Sequence, residues 1–303
     1  MDSVKCAVFS EQLARELGKT EGQSDLEFYN RVHGGKVLTF IFPRGHPEKI
    51  NPLLQALYLA DYVIISADKI DSALGEIIVA ADCLGKEKGF IVQGENLDEG
   101  LFEKIIAGTK VQGFEKIQKE AILDRISSME PIKKEGGTIV DLDAMFNVKG
   151  VGVVALGFVA QGKVSKFQKL WALPKNAEVL VKSIQVQDKD IEEAGSGERV
   201  GLSLKGIEAE DFSRGMVLSD DNAFEEKKEF NVSFQKNKFC KKEIAEKMQL
   251  HVQCRMQIAG CTVKSLNPLR IETGKPIAIR KGESVALCDV EAKPRVIGQG
   301  KII

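Results

Sequence analysis

Residues 143–162 read Asp-Ala-Met-Phe-Asn-Val-Lys-Gly-Val-Gly-Val-Val-Ala-Leu-Gly-Phe-Val-Ala-Gln-Gly, and this stretch decides the fold of the middle of the chain. Along residues 153–158 the side chains alternate with the period of a β-strand, in which successive residues point to opposite faces. Glycines recur through this third of the sequence, and they permit the tight bends and strong coiling of a small closed sheet. The stretch therefore predicts a β-barrel.

The sequence before this stretch has a different period. Short apolar runs predict buried strands, and apolar residues four apart predict helices between them. Ser10 is the predicted N-cap of the first helix, and Gly18 is its predicted stop. Strands that alternate with helices are typical of a parallel sheet with helices on both faces. The predicted strands are residues 5–9, 37–42, 62–66 and 89–92, and the predicted helices are residues 11–17, 52–59 and 73–84. Residues 101–107 and 114–129 are the remaining predicted elements of this alternating pattern.

The sequence after the predicted barrel is again strand-like. The polar, glycine-rich residues 131–137 predict a linker between the first two parts. We therefore expect three domains, at residues 1–132, 138–220 and 224–303. The strands predicted in the last part are residues 229–234, 248–254, 259–263, 276–279 and 284–290, followed by a closing segment at 294–303.

Three short runs in the middle part carry a family resemblance. They are residues 195–201 (GSGERVG), 204–207 (LKGI) and 210–215 (EDFSRG). Together they resemble the GENVG, LRGI and EIERG run of elongation factor Tu and of the selenocysteine-specific elongation factor, and a weaker resemblance extends along the whole chain. It implies the fold class α/β + β: a P-loop-GTPase-like, doubly wound α/β domain followed by two β-barrels, the second and third domains of translation factors.

The nucleotide motifs of that family are degenerate in this sequence. Gly18-Lys19-Thr20 matches only the end of the phosphate loop G-x-x-x-x-G-K-[ST], because Leu13 stands where the first glycine is needed. Gly18 also follows a predicted helix, where carbonyls rather than N–H groups point outward. At the D-x-x-G-H motif Phe42 replaces the aspartate, and an apolar ring cannot bind magnesium.

Two further positions bear on the same site. His46 matches the histidine that orients the attacking water in the family, although it also fits an ordinary loop histidine. At the guanine-reading motif, Asn96 replaces the carboxylate in residues 93–96. These losses predict a pseudo-GTPase that holds neither nucleotide nor metal. The alternative is GTP binding with Mg²⁺ and GTPase activity through non-standard loops, for which Lys19 or Arg44 would have to compensate.

The resemblance implies that the second domain keeps part of a pocket for the aminoacyl end of tRNA. Asp143 and Phe146 match residues that flank the pocket, and Arg199 could pair with an anionic group such as a selenolate or carboxylate. Val153 and Leu156 replace two threonines of the family. The alternatives are that Phe146 is barrel core and that Asp143 and Arg199 face solvent.

Basic residues interleaved with aromatic residues are the other candidates for RNA contact, because lysines neutralise phosphates and rings stack on bases. Charged turns at barrel rims have the same pattern. We expect tRNA or the ribosome as partner, with another translation factor as a further candidate; a scaffold that uses the first domain as an interaction surface is a third possibility. The candidate contacts are Lys163, Lys166, Lys169 and Lys175 around Phe167 and Trp171, and Lys236, Lys238, Lys241 and Lys242 around Phe239.

Composition limits the remaining classes. The chain has 43 basic and 44 acidic side chains, so net charge supplies no long-range attraction to nucleic acid. Six cysteines without a C-x-x-C pair predict reduced thiols, and His251, Cys254 and Cys261 fit no zinc pattern. The apolar runs are too short to cross a bilayer. We therefore expect a cytoplasmic protein with no membrane association.

Overall fold

The computed structural model describes residues 2–20, 24–220 and 222–303. The chain divides into two compact units. The first unit comprises Met1–Pro131, Phe234–Glu243 and Ala286–Gln299, and the second comprises Ile132–Ser233, Ile244–Val285 and Gly300–Ile303. The three domain ranges expected from the sequence stay a prediction.

The first part of the chain is an α/β domain with a six-stranded sheet. Its elements are β1 (Ser3–Val8), α1 (Glu11–Leu17), β2 (Glu27–His33), β3 (Lys36–Phe42), α2 (Ile50–Leu59), β4 (Tyr62–Ala67), α3 (Ser72–Cys83), β5 (Gly89–Gln93), α4 (Glu99–Ile106), β6 (Glu115–Lys116) and α5 (Ile122–Ser127). The strand order is β2-β3-β1-β4-β5-β6. All neighbours are parallel except β2 and β3, which pair antiparallel. The predicted parallel sheet is confirmed.

Local sequence explains the first helix. The Oγ of Ser10 accepts a hydrogen bond from the N–H of Leu13 at 3.3 Å, which satisfies a free donor of the first turn. The helix ends at Leu17, and Gly18 continues with extended backbone. The predicted cap and stop are therefore confirmed. Residues 27–33, for which no element was predicted, form β2, and the range 114–129 contains β6 and α5.

The middle of the chain forms a closed barrel, as predicted. The strands of this part are β7 (Ile139–Val148), β8 (Gly152–Gln161), β9 (Lys163–Ser165), β10 (Lys169–Leu173), β11 (Ala177–Val186), β12 (Lys189–Ile191), β13 (Glu193–Gly195), β14 (Arg199–Lys205) and β15 (Val217–Ser219). Of these, β9 and β13 form a separate two-stranded sheet. The order β10-β15-β7-β8-β14-β11 closes through pairing of β10 with β11. Gly157 permits the close approach of β8 to β7, because a Cβ there would lie 2.3 Å from the carbonyl oxygen of Asp141.

The last part of the chain forms a second closed barrel. Its strands are β16 (Phe224–Lys236), β17 (Gln249–Cys254), β18 (Gln257–Leu266), β19 (Leu269–Arg280), β20 (Ser284–Cys288) and β21 (Val296–Ile302). They follow the order β16-β19-β18-β17-β20-β21 around the barrel. The predicted fold class, an α/β domain followed by two barrels, is confirmed. None of the described helices has the length and apolar character needed to cross a membrane.

Candidate functional site

The first candidate site is the carboxyl edge of the parallel sheet, where β1 and β3 end. Only Phe9 and Ser10 lie between the end of β1 and the start of α1. A phosphate loop needs a longer segment whose N–H groups converge on the ligand, so this connection cannot wrap a phosphate. Lys19, from the partial motif, lies beyond α1 and exchanges backbone hydrogen bonds with Asn30 at 3.0 and 2.7 Å.

A cluster of the chain's own charges occupies this edge. Arg44 donates to both carboxylate oxygens of Glu27, at 2.6 and 3.0 Å, and to Glu11 at 2.7 Å. The hydroxyl of Tyr29 also donates to Glu27 at 2.8 Å, and Glu27 is buried. Hydrogen bonds to Glu27 and Glu11 raise the pKa of Arg44. Hydrogen bonds from Arg15 and Arg44 lower the pKa of Glu11. Arg44 is therefore engaged in a network of ion pairs.

His46 takes part in a second network that the sequence did not predict. Its Nε2 lies 3.0 Å from Oε2 of Glu76, a residue of α3. Arg295 also donates to Glu76, from Nε to Oε1 at 2.7 Å. Burial acts to raise the pKa of Glu76, but the hydrogen bonds from Arg295 and His46 outweigh it and lower the pKa to about 2. His46 lies in the loop after β3, as the interpretation of an ordinary loop histidine expects, and its ring is almost fully buried.

The guanine-reading position follows β5. Asn96 is exposed in the turn after this strand. Gln93 ends the strand, and its amide nitrogen is buried without a hydrogen-bond partner among the described residues. Reading guanine at this position requires a carboxylate that accepts paired hydrogen bonds from the base. Asn96 carries an exposed amide, which does not supply that chemistry.

The second candidate site lies on the middle barrel around Asp143. Leu142 pairs with Gly157 and Ala144 pairs with Leu156, so Asp143 is the extra residue of a β-bulge. Arg199 of β14 donates to Oδ2 of Asp143 at 2.9 Å. The other oxygen, Oδ1, is buried and has no partner in the described part of the chain. Burial raises the pKa of Asp143 against the lowering effect of Arg199 and Arg214.

This geometry decides two alternatives that the sequence left open. Asp143 is 7% exposed, so the solvent-facing interpretation of its side chain is wrong. The Arg199 side chain is 19% exposed, and its guanidinium lies 5.4 Å from the centre of the Phe158 ring; the solvent-facing interpretation is wrong here too. Phe146 is 43% exposed, so the interpretation as barrel core is wrong.

An apolar strip continues from the Asp143–Arg199 pair along the outer face of the barrel. Phe146 of β7 lies opposite Val154 of β8, and Leu156 lies opposite Gly201 of β14. Val153 belongs to the barrel core instead. This part of the barrel therefore brings three features together. They are an exposed aromatic ring, a short apolar strip and a buried ion pair in which one carboxylate oxygen has no partner among the described residues.

The basic residues proposed for RNA contact lie mostly in ion pairs. Lys238 donates to the carbonyl oxygen of Gly108 at 2.6 Å. Phe167 and Trp171 are 67% and 43% exposed. Because carboxylates compensate these lysines locally, the two patches present less positive charge than the sequence alone indicates, and their role stays a prediction. The pairs are Lys163–Glu193 (2.9 Å), Lys166–Glu192 (3.0 Å), Lys169–Glu178 (3.0 Å), Lys175–Asp211 (2.6 Å) and Lys236–Glu243.

The six cysteines are free and buried. Burial raises the pKa of both Cys254 and Cys261 to about 12, which disfavours the thiolate form that binds metals. Among residues 2–20, 24–220 and 222–303, no group of histidine, cysteine and carboxylate side chains is placed to hold a metal ion.

Comparisons with known proteins agree with this architecture. Residues 152–219 match the profile of the family described as Elongation factor Tu domain 2. The chain is 32% identical over 297 residues to an uncharacterized protein of Methanocaldococcus jannaschii, covering 96% of each. It is 30% identical over 243 residues to the selenocysteine-specific elongation factor of the same organism, covering 77% of this chain and 50% of the factor. The chain therefore spans half the length of that factor.

Solved structures have the same fold. Translation elongation factor SelB from Methanococcus maripaludis, in complex with the GTP analogue GppNHp, matches the whole chain and 79% of its own length, with a TM-score of 0.84 and 19% identity. A bacterial selenocysteine-specific elongation factor matches the whole chain and 58% of its own length, with a TM-score of 0.82 and 17% identity.

Proposed function

Because this chain belongs to the elongation factor Tu and SelB-like family of translational GTPases, we propose that it is a non-catalytic member of that family. In this proposal the α/β domain binds no nucleotide and no metal, and the β-barrels bind tRNA or the ribosome, with another translation factor as a further candidate. A reducing compartment such as the cytoplasm suits the six free, buried thiols.

The observation that carries the proposal is the Arg44 cluster at the carboxyl edge of the sheet. A phosphate could recruit Arg44 only by displacing it from Glu27, whose side chain is fully buried. That displacement would leave a buried carboxylate without its guanidinium, at a cost of several kcal/mol. Glu11 adds a negative charge in the first turn of α1, where a helix would otherwise favour an anion.

The Asp143 site is the proposed contact for the aminoacyl end of tRNA. Arg199 is already paired with Asp143 at 2.9 Å, so an anionic ligand group would have to compete with this carboxylate. Oδ1 of Asp143 is buried and has no partner among the described residues, so a ligand N–H or O–H donor would reach it only if the barrel surface opened around it. Phe146 would supply an exposed ring for apolar or stacking contact.

The alternative function is GTP binding with Mg²⁺ and GTPase activity through non-standard loops. The specific observation in its favour is that a SelB structure of the same fold was solved with a GTP analogue. It requires either that Arg44 leaves Glu27, or that the exposed side chain of Lys19 reaches the nucleotide from beyond α1.

Thermal unfolding separates the two functions. The purified protein is heated with millimolar GTP, GDP or ATP, each with magnesium, and without nucleotide. A ligand that binds only the folded state adds about 2.7 kcal/mol of stability at 100 times its Kd. We expect the same midpoint in all four samples. A higher midpoint with GTP or GDP but not with ATP would establish guanine nucleotide binding and refute the proposal.

RNA binding is tested separately with aminoacylated and deacylated tRNA at several salt concentrations. We expect tighter binding of the aminoacylated form, and we expect Phe146→Ala to remove that preference. Leu101→Ala is the matched control, because Leu101 is equally exposed, at 44%, and lies on α4. Equal binding of both tRNA forms would exclude an aminoacyl site, and a steep salt dependence without this preference would point to phosphate contacts alone.

A further inference from the structure

Arg295, in the segment before β21, makes a concentrated set of contacts within the first compact unit. Besides its bond to Oε1 of Glu76, its Nη2 contacts the other carboxylate oxygen. The same guanidinium donates to the carbonyl oxygen of Pro47 at 2.7 Å and to that of Glu48 at 3.3 Å. One side chain therefore holds both α3 and the backbone of the loop between β3 and α2.

His46 completes the arrangement from within that loop. It contacts the same carboxylate, Glu76, at 3.0 Å. The side chains of His46, Glu76 and Arg295 are 6%, 9% and 16% exposed, respectively. Charge-assisted hydrogen bonds are stronger in such partly dehydrated positions than at the surface, so these contacts bind more firmly than an exposed ion pair.

Arg44 anchors the first half of the loop between β3 and α2 through its ion pairs with Glu27 and Glu11. Residues 47–49 have few attachments besides Arg295 and the backbone hydrogen bond from Lys49 to Gly45. Residues 47–49 are exposed, and the backbone N–H groups of Gly45 and His46 donate to Asp25 and Pro43 at 3.1 and 2.9 Å. Short exposed loops open easily when few contacts hold them. The contacts of Arg295 with the carbonyl groups therefore make up a large part of what orders this segment.

We propose that Arg295, Glu76 and His46 form a permanent clamp that fixes the loop at residues 43–49 to α3 and to the segment before β21. The loop occupies the position of the D-x-x-G-H motif, and the clamp keeps it in one conformation without a ligand. This inference goes beyond the proposed function, because it concerns the state of the loop in the free protein.

Hydrogen–deuterium exchange of the full chain, followed by mass spectrometry, tests the clamp. In Arg295→Met we expect exchange in peptides covering residues 43–50 to become roughly 100-fold faster, because a buried partner of Glu76 is lost. Arg270→Met is the matched control, since Arg270 forms an ion pair with Glu229 at 3.3 Å and is 49% exposed. We expect this control to exchange like the wild type in the same peptides.

Unchanged exchange at residues 43–50 in Arg295→Met would overturn the clamp. If that variant does not fold, Arg295→Lys replaces it: lysine keeps the charge but cannot reproduce the two-pronged contact, so we expect exchange between that of the wild type and a free loop. Wild-type exchange in Arg295→Lys would also overturn the clamp.

Addition of GTP or GDP with magnesium to the wild type forms a separate arm of the experiment. A nucleotide that slows exchange around β1 and α1, while residues 43–50 stay unchanged, would refute the proposed function and leave the clamp standing. A nucleotide that makes exchange at residues 43–50 faster would overturn the clamp as well.

Discussion

Arg255 offers the sharpest test of how the second compact unit is held together. Its Nε and Nη2 donate to the two carboxylate oxygens of Asp141 at 2.9 and 2.8 Å, and its Nη1 donates to Glu283 at 3.0 Å. Arg255 is 5% exposed and Asp141 is fully buried. The change to make is Arg255→Met, which keeps an apolar side chain of similar reach but removes the charge.

The expected loss of stability follows from what the substitution leaves behind. Asp141 would keep its buried position but lose both hydrogen bonds to the guanidinium, and breaking a buried pair by removing one partner costs about 3–5 kcal/mol. Whole proteins are stable by only about 5–15 kcal/mol. With a urea m-value of about 3 kcal/mol/M, the unfolding midpoint is expected to fall by at least about 1 M.

The assay is equilibrium unfolding in urea, followed by circular dichroism. The double variant Asp141→Asn with Arg255→Met removes the buried charge as well, so we expect it to recover part of the loss. Arg270→Met is the surface control and should change stability by no more than about 1 kcal/mol. A midpoint for Arg255→Met equal to that of this control would show that Asp141 does not depend on Arg255, and the reasoning would be wrong.

Three further predictions concern the other sites. The pKa of Glu76 is lowered to about 2 from an ordinary 4.5. This shift contributes stability that is complete above pH 4.5 and is lost as the pH falls towards 2, and the loss is about 3 kcal/mol. We therefore expect the melting temperature of Glu76→Gln to depend much less on pH across this window than that of the wild type. Gly157→Ala places a Cβ 2.3 Å from a backbone oxygen, so we expect it to cost more than about 1 kcal/mol in urea unfolding, whereas Gly260→Ala, with open space around its Cβ, should cost less. Phe146→Ala should leave the melting temperature almost unchanged, because surface substitutions usually stay within about 0.5 kcal/mol, while a tRNA-binding assay detects a loss.

The fold could be predicted because its signals are local. The period of two along β8 and the glycines around it indicate a barrel without any knowledge of distant contacts. Ser10 and Gly18 mark the ends of α1 through backbone chemistry within one turn. The strand β2 was missed although a signal existed: Gly34 and Gly35, with φ of 57° and 75°, form the two-residue turn that joins it to β3.

The networks around the sites could not be predicted, because they depend on side chains that are remote in sequence. Arg295 and Glu76 are 219 residues apart, and no spacing rule brings a guanidinium to a chosen carboxylate over that distance. Arg199 and Asp143 were placed at one pocket through the family resemblance. Their direct ion pair was not expected.

Two features at the carboxyl edge of the sheet support the proposed non-catalytic role: the short connection between β1 and α1 and the Arg44 cluster. Leu13 stands where the motif needs glycine, but it is a buried residue of α1, packed in the core of the α/β domain. Leu13→Gly would therefore create a cavity and weaken the helix without lengthening the connection after β1. Arg44 would still be held by Glu27 and Glu11. If the chain binds no nucleotide, as we propose, then gaining that binding would require a longer loop and the release of Arg44 together, so no single substitution at this edge is expected to achieve it.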